Sequence, residues 1–179
     1  MTDGRRDRKL AQTRLALLAA LRERLAERPL EEINVRELAE AADVSEATFY
    51  NHFPTKTDLA VYFVQLWSID AGWHAAAADR HGPRAAITAI FDATAADVAR
   101  APRVMGEVIA VQARLSGKAS LPPLTALEKR LAFPERPGVD AIDALGLDGL
   151  LPPRIAAAYR AQLAIVWAGL AATAGKDPS

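Results

Sequence analysis

Between Ser45 and Lys56 the chain carries hydroxyl, carboxylate, carboxamide, imidazole and ammonium groups within a single short segment. Phe49 and Phe53 are four residues apart, so on a helix both would point into one core. The residues that would lie off that core face are Glu46, Ala47, Thr48, Tyr50 and Asn51. Side chains of these types can contact base edges in the major groove of DNA. The segment therefore predicts a short helix that lies in a major groove.

A second set of residues could support different chemistry. Asp70 and His74 are four apart on one predicted helix, and His81 follows. Such residues could ligate a metal or act as an acid–base pair. However, the chain has no HExxH motif, glycine-rich phosphate loop or nucleophile elbow. An isolated Asp/His pair at this spacing is usually a solvated contact, so an all-α enzyme is the weaker alternative.

The Ser45–Lys56 segment must be held in place by the helices around it, and the sequence indicates where three of them start. Asn34, Ser45 and Thr55 are each good N-cap residues, and Glu37 is placed to complete a capping box with Asn34. Ile33 with Leu38, and Val44 with Phe49, have the spacing of hydrophobic staples. Pro54 ends the second of the three helices. The pattern predicts two short helices, a tight turn and a third, longer helix.

The turn between the first two helices is Ala42-Asp43-Val44. A turn of this kind needs a residue with positive φ, for which glycine is the usual choice. Asp tolerates positive φ better than most residues. We therefore expect Asp43 to adopt the left-handed conformation at some energetic cost.

The remaining chain predicts further helices. A first helix is expected over residues 7–28 after disordered residues 1–6, and a long helix over 55–79. The other predicted helices cover residues 83–100, 102–116, 121–132 and 153–174, with a loop at 133–153 that holds a helical turn between 140 and 145. The helix at 83–100 has an apolar stripe, and the helix at 102–116 is apolar nearly all round, which predicts a central, buried position. The fold class is all-α.

Composition restricts the class of protein. There are 22 basic and 22 acidic residues, which gives no net charge, but residues 1–30 hold eight basic and four acidic groups. Arg5, Arg6, Arg8 and Lys9 form either a phosphate-binding arm or a solvated end. The absence of cysteine excludes disulfides and thiolate zinc sites. With neither an apolar leader nor a membrane-length apolar stretch, we expect a cytoplasmic protein that needs no cofactor.

The residues between 41 and 59 resemble the tetracycline-repressor (TetR) family of bacterial transcriptional regulators. The matching segments are Ala41-Ala42-Asp43-Val44-Ser45, Ala47-Thr48-Phe49-Tyr50 and His52-Phe53-Pro54-Thr55-Lys56-Thr57-Asp58-Leu59. The match departs from the family at Asp43 and Ala47, where glycine is common. The resemblance implies a helix-turn-helix DNA-binding domain over residues 1–54 and a helical regulatory and dimerisation domain over 55–179.

The resemblance also implies roles for individual residues. Base edges would be met by Glu46, Ala47, Thr48 and Asn51. Phosphate oxygens would be held by Ser45, Tyr50, His52 and Lys56, which set register rather than sequence preference. Asn34 completes the set of residues assigned to DNA contact. For Tyr50 and His52 the alternative is aromatic packing between helices.

For the C-terminal part, the resemblance implies a homodimer on a palindromic DNA site and an unidentified small-molecule effector that releases it. Candidate effector contacts are Phe63, Trp67, Phe91, Met105, Val108 and Gln112; for each, the alternative is ordinary core packing. Candidate dimer contacts are Tyr159, Leu163, Val166, Trp167 and Leu170, on the last predicted helix. The other alternative function is a ligand-independent helical DNA-binding or interaction protein. Thr48, Tyr50 and Lys56 argue against an interaction module that has lost DNA binding.

Overall fold

The computed structural model describes residues 3–114 and 121–142, and every regular element within these ranges is a helix. The α-helices are α1 (Asp3–Glu27), α2 (Val35–Ala41), α3 (Glu46–His52), α4 (Lys56–Ala78), α5 (Pro83–Arg100), α6 (Pro102–Arg114) and α7 (Ala126–Ala132). Short 3-10 turns lie at Leu30–Glu32, Asp79–His81 and Val139–Ala141. The all-α class predicted from the sequence is confirmed. None of the described helices is long and apolar enough to cross a membrane.

The three predicted helix caps around the tight turn are confirmed. The side chains of Asn34, Ser45 and Thr55 each accept a hydrogen bond from a backbone N–H in the first turn of the helix that follows. The carboxylates of Glu37 and Asp58 in turn accept hydrogen bonds from the backbone N–H groups of Asn34 and Thr55. These bonds satisfy N–H groups that a helix start otherwise leaves without partners. Local sequence therefore fixes where α2, α3 and α4 begin.

The core sits where α1, α3 and α4 meet. Phe49 and Phe53 are both fully buried, and Phe53 packs against Tyr62 of α4 with ring centroids 5.4 Å apart. The aliphatic residues of this core include Leu17, Leu21, Leu25, Ile33, Leu38, Leu59 and Ile69. The leucines of α1 are therefore buried at positions 17, 18, 21 and 25, while Leu10 remains 41% exposed.

The first helix is longer than predicted. It begins at Asp3, so residues 3–6, predicted to be disordered, are helical. Arginine and lysine are good helix formers, which lets the helix continue outward from its buried part. The basic side chains Arg5, Arg6, Arg8 and Lys9 are all exposed on the N-terminal part of α1.

The predicted break after α4 is confirmed, because Gly82 has a φ of 94° and Pro83 is the first residue of α5. The expected burial of α5 and α6 is only partly met. Along the α5 stripe Thr94 is buried, but Ile87 is 37% and Phe91 42% exposed. The periodicity identified an apolar face without revealing how deeply its neighbours would cover it.

Helix α6 is buried on one face only, not all round. Val104, Met105, Val108 and Val111 are buried, whereas Pro102 and Arg103 are exposed. The predicted turn in the loop after α7 is present as the 3-10 turn at Val139–Ala141.

The described residues all belong to one compact unit, Met1–Ala144. The predicted last helix, with Tyr159, Leu163, Val166, Trp167 and Leu170, lies outside the described residues, as does the rest of the loop beyond residue 142.

Candidate nucleic-acid interface

Helix α3 buries Phe49 and leaves most of its other side chains exposed. Phe49 is fully buried, whereas Glu46, Ala47 and Asn51 are exposed and Tyr50 is 52% exposed. Thr48 is half-buried. The helix therefore presents a small exposed face to solvent or a ligand, while the buried Phe49 side chain holds it against the core.

The turn before α3 has the predicted strained residue. Asp43 has a φ of 54°, the one positive φ outside glycine in the described ranges. Its N–H donates to the carbonyl of Glu40 at 3.1 Å, and the N–H of Val44 donates to the carbonyl of Ala39 at 2.9 Å. These bonds satisfy the last carbonyls of α2 and set the angle at which α3 leaves the turn.

Ser45 and Thr48 hold each other at the start of α3. The Ser45 Oγ accepts the Thr48 N–H at 3.1 Å, and the two hydroxyl oxygens lie 2.9 Å apart. The Thr48 hydroxyl is therefore engaged within the helix. Its methyl group is the part of the side chain better suited to contact a thymine methyl.

Tyr50 and His52 differ in their surroundings. The Tyr50 ring lies edge-on to Phe49, with centroids 5.5 Å apart, and the residue is about half exposed. His52 is half-buried, and burial, followed by the nearby Arg14 charge, lowers the pKa of its imidazole. A neutral imidazole can still donate one hydrogen bond to a phosphate.

Lys56 has a structural role that the sequence did not reveal. Its Nζ donates to the carbonyl oxygens of Glu31 at 2.7 Å and Ile33 at 2.9 Å. An ammonium group has three N–H donors, so one remains for an anion. The sequence indicated only a positive charge near a helix start. It did not indicate the two carbonyl partners, because they lie more than twenty residues away.

Asn34 is likewise occupied, since its Oδ1 accepts the Arg36 N–H at 2.9 Å. Only its amide nitrogen can point outward to a ligand. Its partner Glu37 also forms ion pairs with Arg24 of α1 and with Arg28, which directly follows that helix. The Asn34 N–H and, after it, Arg28 lower the pKa of Glu37. These contacts hold α2 against the end of α1.

A cavity of 320 Å³ lies between α1, α4, α6 and the end of α7. Phe63, Trp67 and Met105, all candidate effector contacts, line it. Phe91 lies on the exposed side of α5 and Val108 is fully packed in the core, so neither reaches this cavity. The side chain of Gln112 lies outside the described part of the chain.

The cavity also has charged walls that no sequence pattern indicated. They are formed by Arg22, Asp70, Asp97, Arg100, Glu135 and Arg136. These residues come from separate elements, and only the tertiary fold brings them together. Asp97 pairs with Arg100 at 3.1 Å, and Arg22 stacks over the Phe63 ring at 5.5 Å.

Asp70 and His74 share one partner. Arg136 forms an ion pair with Asp70, and its Nη1 lies 2.8 Å from the His74 Nε2. Burial raises the pKa of Asp70, although the Arg136 charge opposes that shift. His81 is exposed and accepts a hydrogen bond from its neighbour Arg80 at 2.9 Å. Among the described residues no group of three His, Asp or Glu is placed to hold a metal.

Two capped helices joined by a tight turn, with the second presenting an exposed polar face, define a helix-turn-helix protein. Residues 17–62 match the family model for bacterial regulatory proteins of the tetR family. The helix-turn-helix region of this chain is therefore similar to that of tetR-family regulatory proteins, in agreement with the resemblance found in the sequence.

No curated protein matches the chain. Among solved structures, it is similar to the crystal structure of a TetR transcriptional regulator from Rhodococcus sp. RHA1. The two are 23% identical, the comparison covers 87% of this chain and 94% of that chain, and the TM-score is 0.31.

Proposed function

We propose that this chain acts as a dimeric repressor that reads a palindromic DNA site and is released by a small molecule. The observation that carries the proposal is the exposed face of α3, set on a buried aromatic anchor within a matched helix-turn-helix. A short polar helix held this rigidly is the geometry that direct reading of base edges requires.

Within this proposal the exposed side chains of α3 read sequence. Asn51 pairs with adenine, Glu46 accepts from cytosine, and the methyl groups of Ala47 and Thr48 contact thymine. These residues lie at the start and along the outer side of α3, where a groove would meet them.

The phosphate contacts surround that reading face. Tyr50 supplies the hydroxyl of an exposed residue, and His52 and Ser45 supply donors at the two ends of α3. Lys56 contributes the third N–H of its ammonium group, and Asn34 contributes the N–H groups of its side-chain amide. The exposed basic residues at the start of α1 add sequence-independent attraction.

The dimer brings two α3 helices onto one face of the duplex. Half-sites about one turn, ~34 Å, apart then match a two-fold axis in the protein. We assign dimerisation to Tyr159, Leu163, Val166, Trp167 and Leu170. A domain boundary after residue 54 separates the DNA-binding domain from the regulatory one, and the protein meets its DNA in the cytoplasm.

The effector site is the 320 Å³ cavity. Its walls combine aromatic and aliphatic groups, such as Phe63, Trp67 and Met105, with charged groups at separate positions. Cavities of this size that combine apolar walls with placed polar groups are typical small-molecule sites. A ligand that fits only one spacing of the two α3 helices would shift the population away from the DNA-bound form.

The test is selection of duplexes from a randomised pool, followed by footprinting of the recovered sequences. We expect a recovered site with dyad symmetry, and an affinity that falls steeply with salt because phosphate contacts release counterions. Asn51→Ala should change the recovered bases, whereas Asp92→Ala, an exposed residue of α5, should leave them unchanged. Recovery of no preferred sequence would contradict sequence-specific regulation.

A further inference from the structure

A buried ion pair joins the first helix to the last described one. The Nη1 of Arg14, on α1, donates to the Oε1 of Glu128, on α7, at 2.7 Å. The side chain of Arg14 is 9% exposed and that of Glu128 is 1% exposed. The two residues are 114 positions apart in sequence, so the pair is a purely tertiary feature.

The carboxylate of Glu128 is held on both oxygens. Its Oε2 accepts the Thr125 N–H at 2.8 Å and the Thr125 hydroxyl at 2.9 Å, which completes a capping box at the start of α7. Its Oε1 also accepts the Tyr62 hydroxyl of α4 at 3.3 Å. Burial, then the Glu128 charge, raises the pKa of Tyr62, so the phenol remains a donor.

The guanidinium of Arg14 reaches the end of α3. It stacks over the Tyr62 ring at 4.4 Å and over the Phe53 ring at 5.0 Å. Phe53 is the C-cap of α3, and its N–H closes that helix on the carbonyl of Phe49 at 2.8 Å. Arg14, Phe53, Tyr62, Thr125 and Glu128, here called the Arg14 cluster, therefore connect α1, α3, α4 and α7.

Stability alone does not account for this arrangement. A buried ion pair is often no more stabilising than well-packed apolar residues of similar volume, because both charges lose their hydration. The Nε of Arg14 is buried with no hydrogen-bond partner among the described residues, which adds a further cost. The pair fixes the position of α1 relative to α7, because its hydrogen bond and its stacking contacts suit only one placement of the two helices.

The same contact between α1 and α7 borders the cavity. Leu15 and Leu18 follow Arg14 on α1, and Ala132 lies one helical turn after Glu128 on α7; all three line the cavity. Any change in the cavity that separates these helices must therefore act on the Arg14–Glu128 pair.

We infer that Arg14 and Glu128 are positioning residues that couple the cavity region to the DNA-reading helix α3. The inference rests on the proposed function for its DNA readout, and it goes beyond that function by naming the joint between the two regions. Neither residue touches DNA or effector in this scheme, and both act through Phe53 and Tyr62.

The main variant is Arg14→Met combined with Glu128→Gln, which removes both charges while the Gln carboxamide oxygen can still accept from Thr125 and complete the capping box of α7. The matched control is Arg130→Met combined with Asp140→Leu, because this pair also has one member on α7 and is 2.7 Å long, yet lies at the surface. The DNA probe is a duplex that the wild-type chain selects from the randomised pool. Arg14→Lys, which keeps the charge but loses the planar stacking group, serves as a milder second variant.

We expect the main variant to keep a melting temperature near that of the wild type but to bind the selected duplex about tenfold more weakly. The salt slope and the base preference should be unchanged, because the contacting residues are intact. Arg14→Lys should show a smaller loss, and the surface control should bind like the wild type. A well-folded main variant with wild-type affinity would overturn the inference.

Amide hydrogen exchange supplies a readout that does not need DNA. In the main variant, exchange at residues 49–53 should be faster than in the wild type and in the surface control. Unchanged exchange there would overturn the coupling even if no duplex were found. If the wild-type chain selects no DNA but the main variant shows the expected change in exchange, the proposed function is refuted while the coupling through Arg14 and Glu128 is supported.

Discussion

Replacing Asp43 by glycine should stabilise the helix-turn-helix. Asp43 is exposed at φ 54°, and an L-residue in the left-handed region costs roughly 1–2 kcal/mol, with Asp toward the lower end. Glycine has no such strain, but it loses about 0.5–1 kcal/mol more backbone entropy on folding than a residue with a Cβ. The net gain for Asp43→Gly is therefore small, on the order of 0.5 kcal/mol.

Asp43→Ala makes the test sharper. Alanine keeps the Cβ clash and lacks the polar side chain that helps Asp to tolerate positive φ. We expect Asp43→Ala to be less stable than Asp43→Gly by about 1 kcal/mol or more. For a chain of this size that difference corresponds to about 2–4 °C in Tm.

Asp43→Asn is the control for charge. Asparagine also tolerates positive φ, so its stability should be close to that of the wild type. Removing the negative charge should nonetheless tighten DNA binding at low salt, because Asp43 sits beside the proposed phosphate contacts.

Thermal and urea denaturation of the three variants, followed by circular dichroism, give the ranking. The expected order of stability is Asp43→Gly first, then wild type and Asp43→Asn together, then Asp43→Ala. If Asp43→Ala proved as stable as Asp43→Gly, the turn would not need a left-handed residue, and the geometry derived for the approach of α3 would be refuted.

Three further results are expected. Tyr50→Phe should weaken binding to every duplex by a similar factor, about threefold to tenfold, because it removes a phosphate contact and no base contact; band-shift titrations measure this. Lys56→Met should lower the free energy of unfolding by about 1–2 kcal/mol, since two hydrogen bonds to carbonyls are lost, and should also reduce the salt slope by about one phosphate contact. For His52, whose folded-state pKa lies below its ordinary value of 6.5, the unfolded chain takes up the proton first. Stability from this group is present above pH 6.5 and falls as the pH drops toward the lowered pKa, so His52→Gln should flatten that part of the stability–pH profile.

Each of these results has an opposite that would count against its reasoning. If Tyr50→Phe changed the base preference, the Tyr50 hydroxyl would contact a base rather than a phosphate. Unchanged stability in Lys56→Met would mean that its two carbonyl bonds contribute nothing to the fold. If the stability of His52→Gln fell with decreasing pH as steeply as that of the wild type, another group would be responsible for the pH dependence.

Caps and turns were predictable because they depend on neighbours in sequence. Asn34, Ser45 and Thr55 satisfy N–H groups two or three residues away, so residue types at fixed spacing were enough to locate the starts of α2, α3 and α4. The left-handed Asp43 followed for the same reason. The buried Phe49 and exposed Asn51 followed from helical periodicity alone.

What the tertiary structure decided depends on residues that are distant in sequence. Lys56 meets two carbonyls across the start of α2, and Arg14 meets Glu128 across most of the chain. No local pattern encodes such partners, because hydrogen bonds and ion pairs of this kind exist only once helices pack. The exposure of Ile87 likewise depends on how far neighbouring helices extend over α5. Sequence by itself therefore determined the reading helix and its caps, whereas packing alone determined how that helix is joined to the rest of the protein.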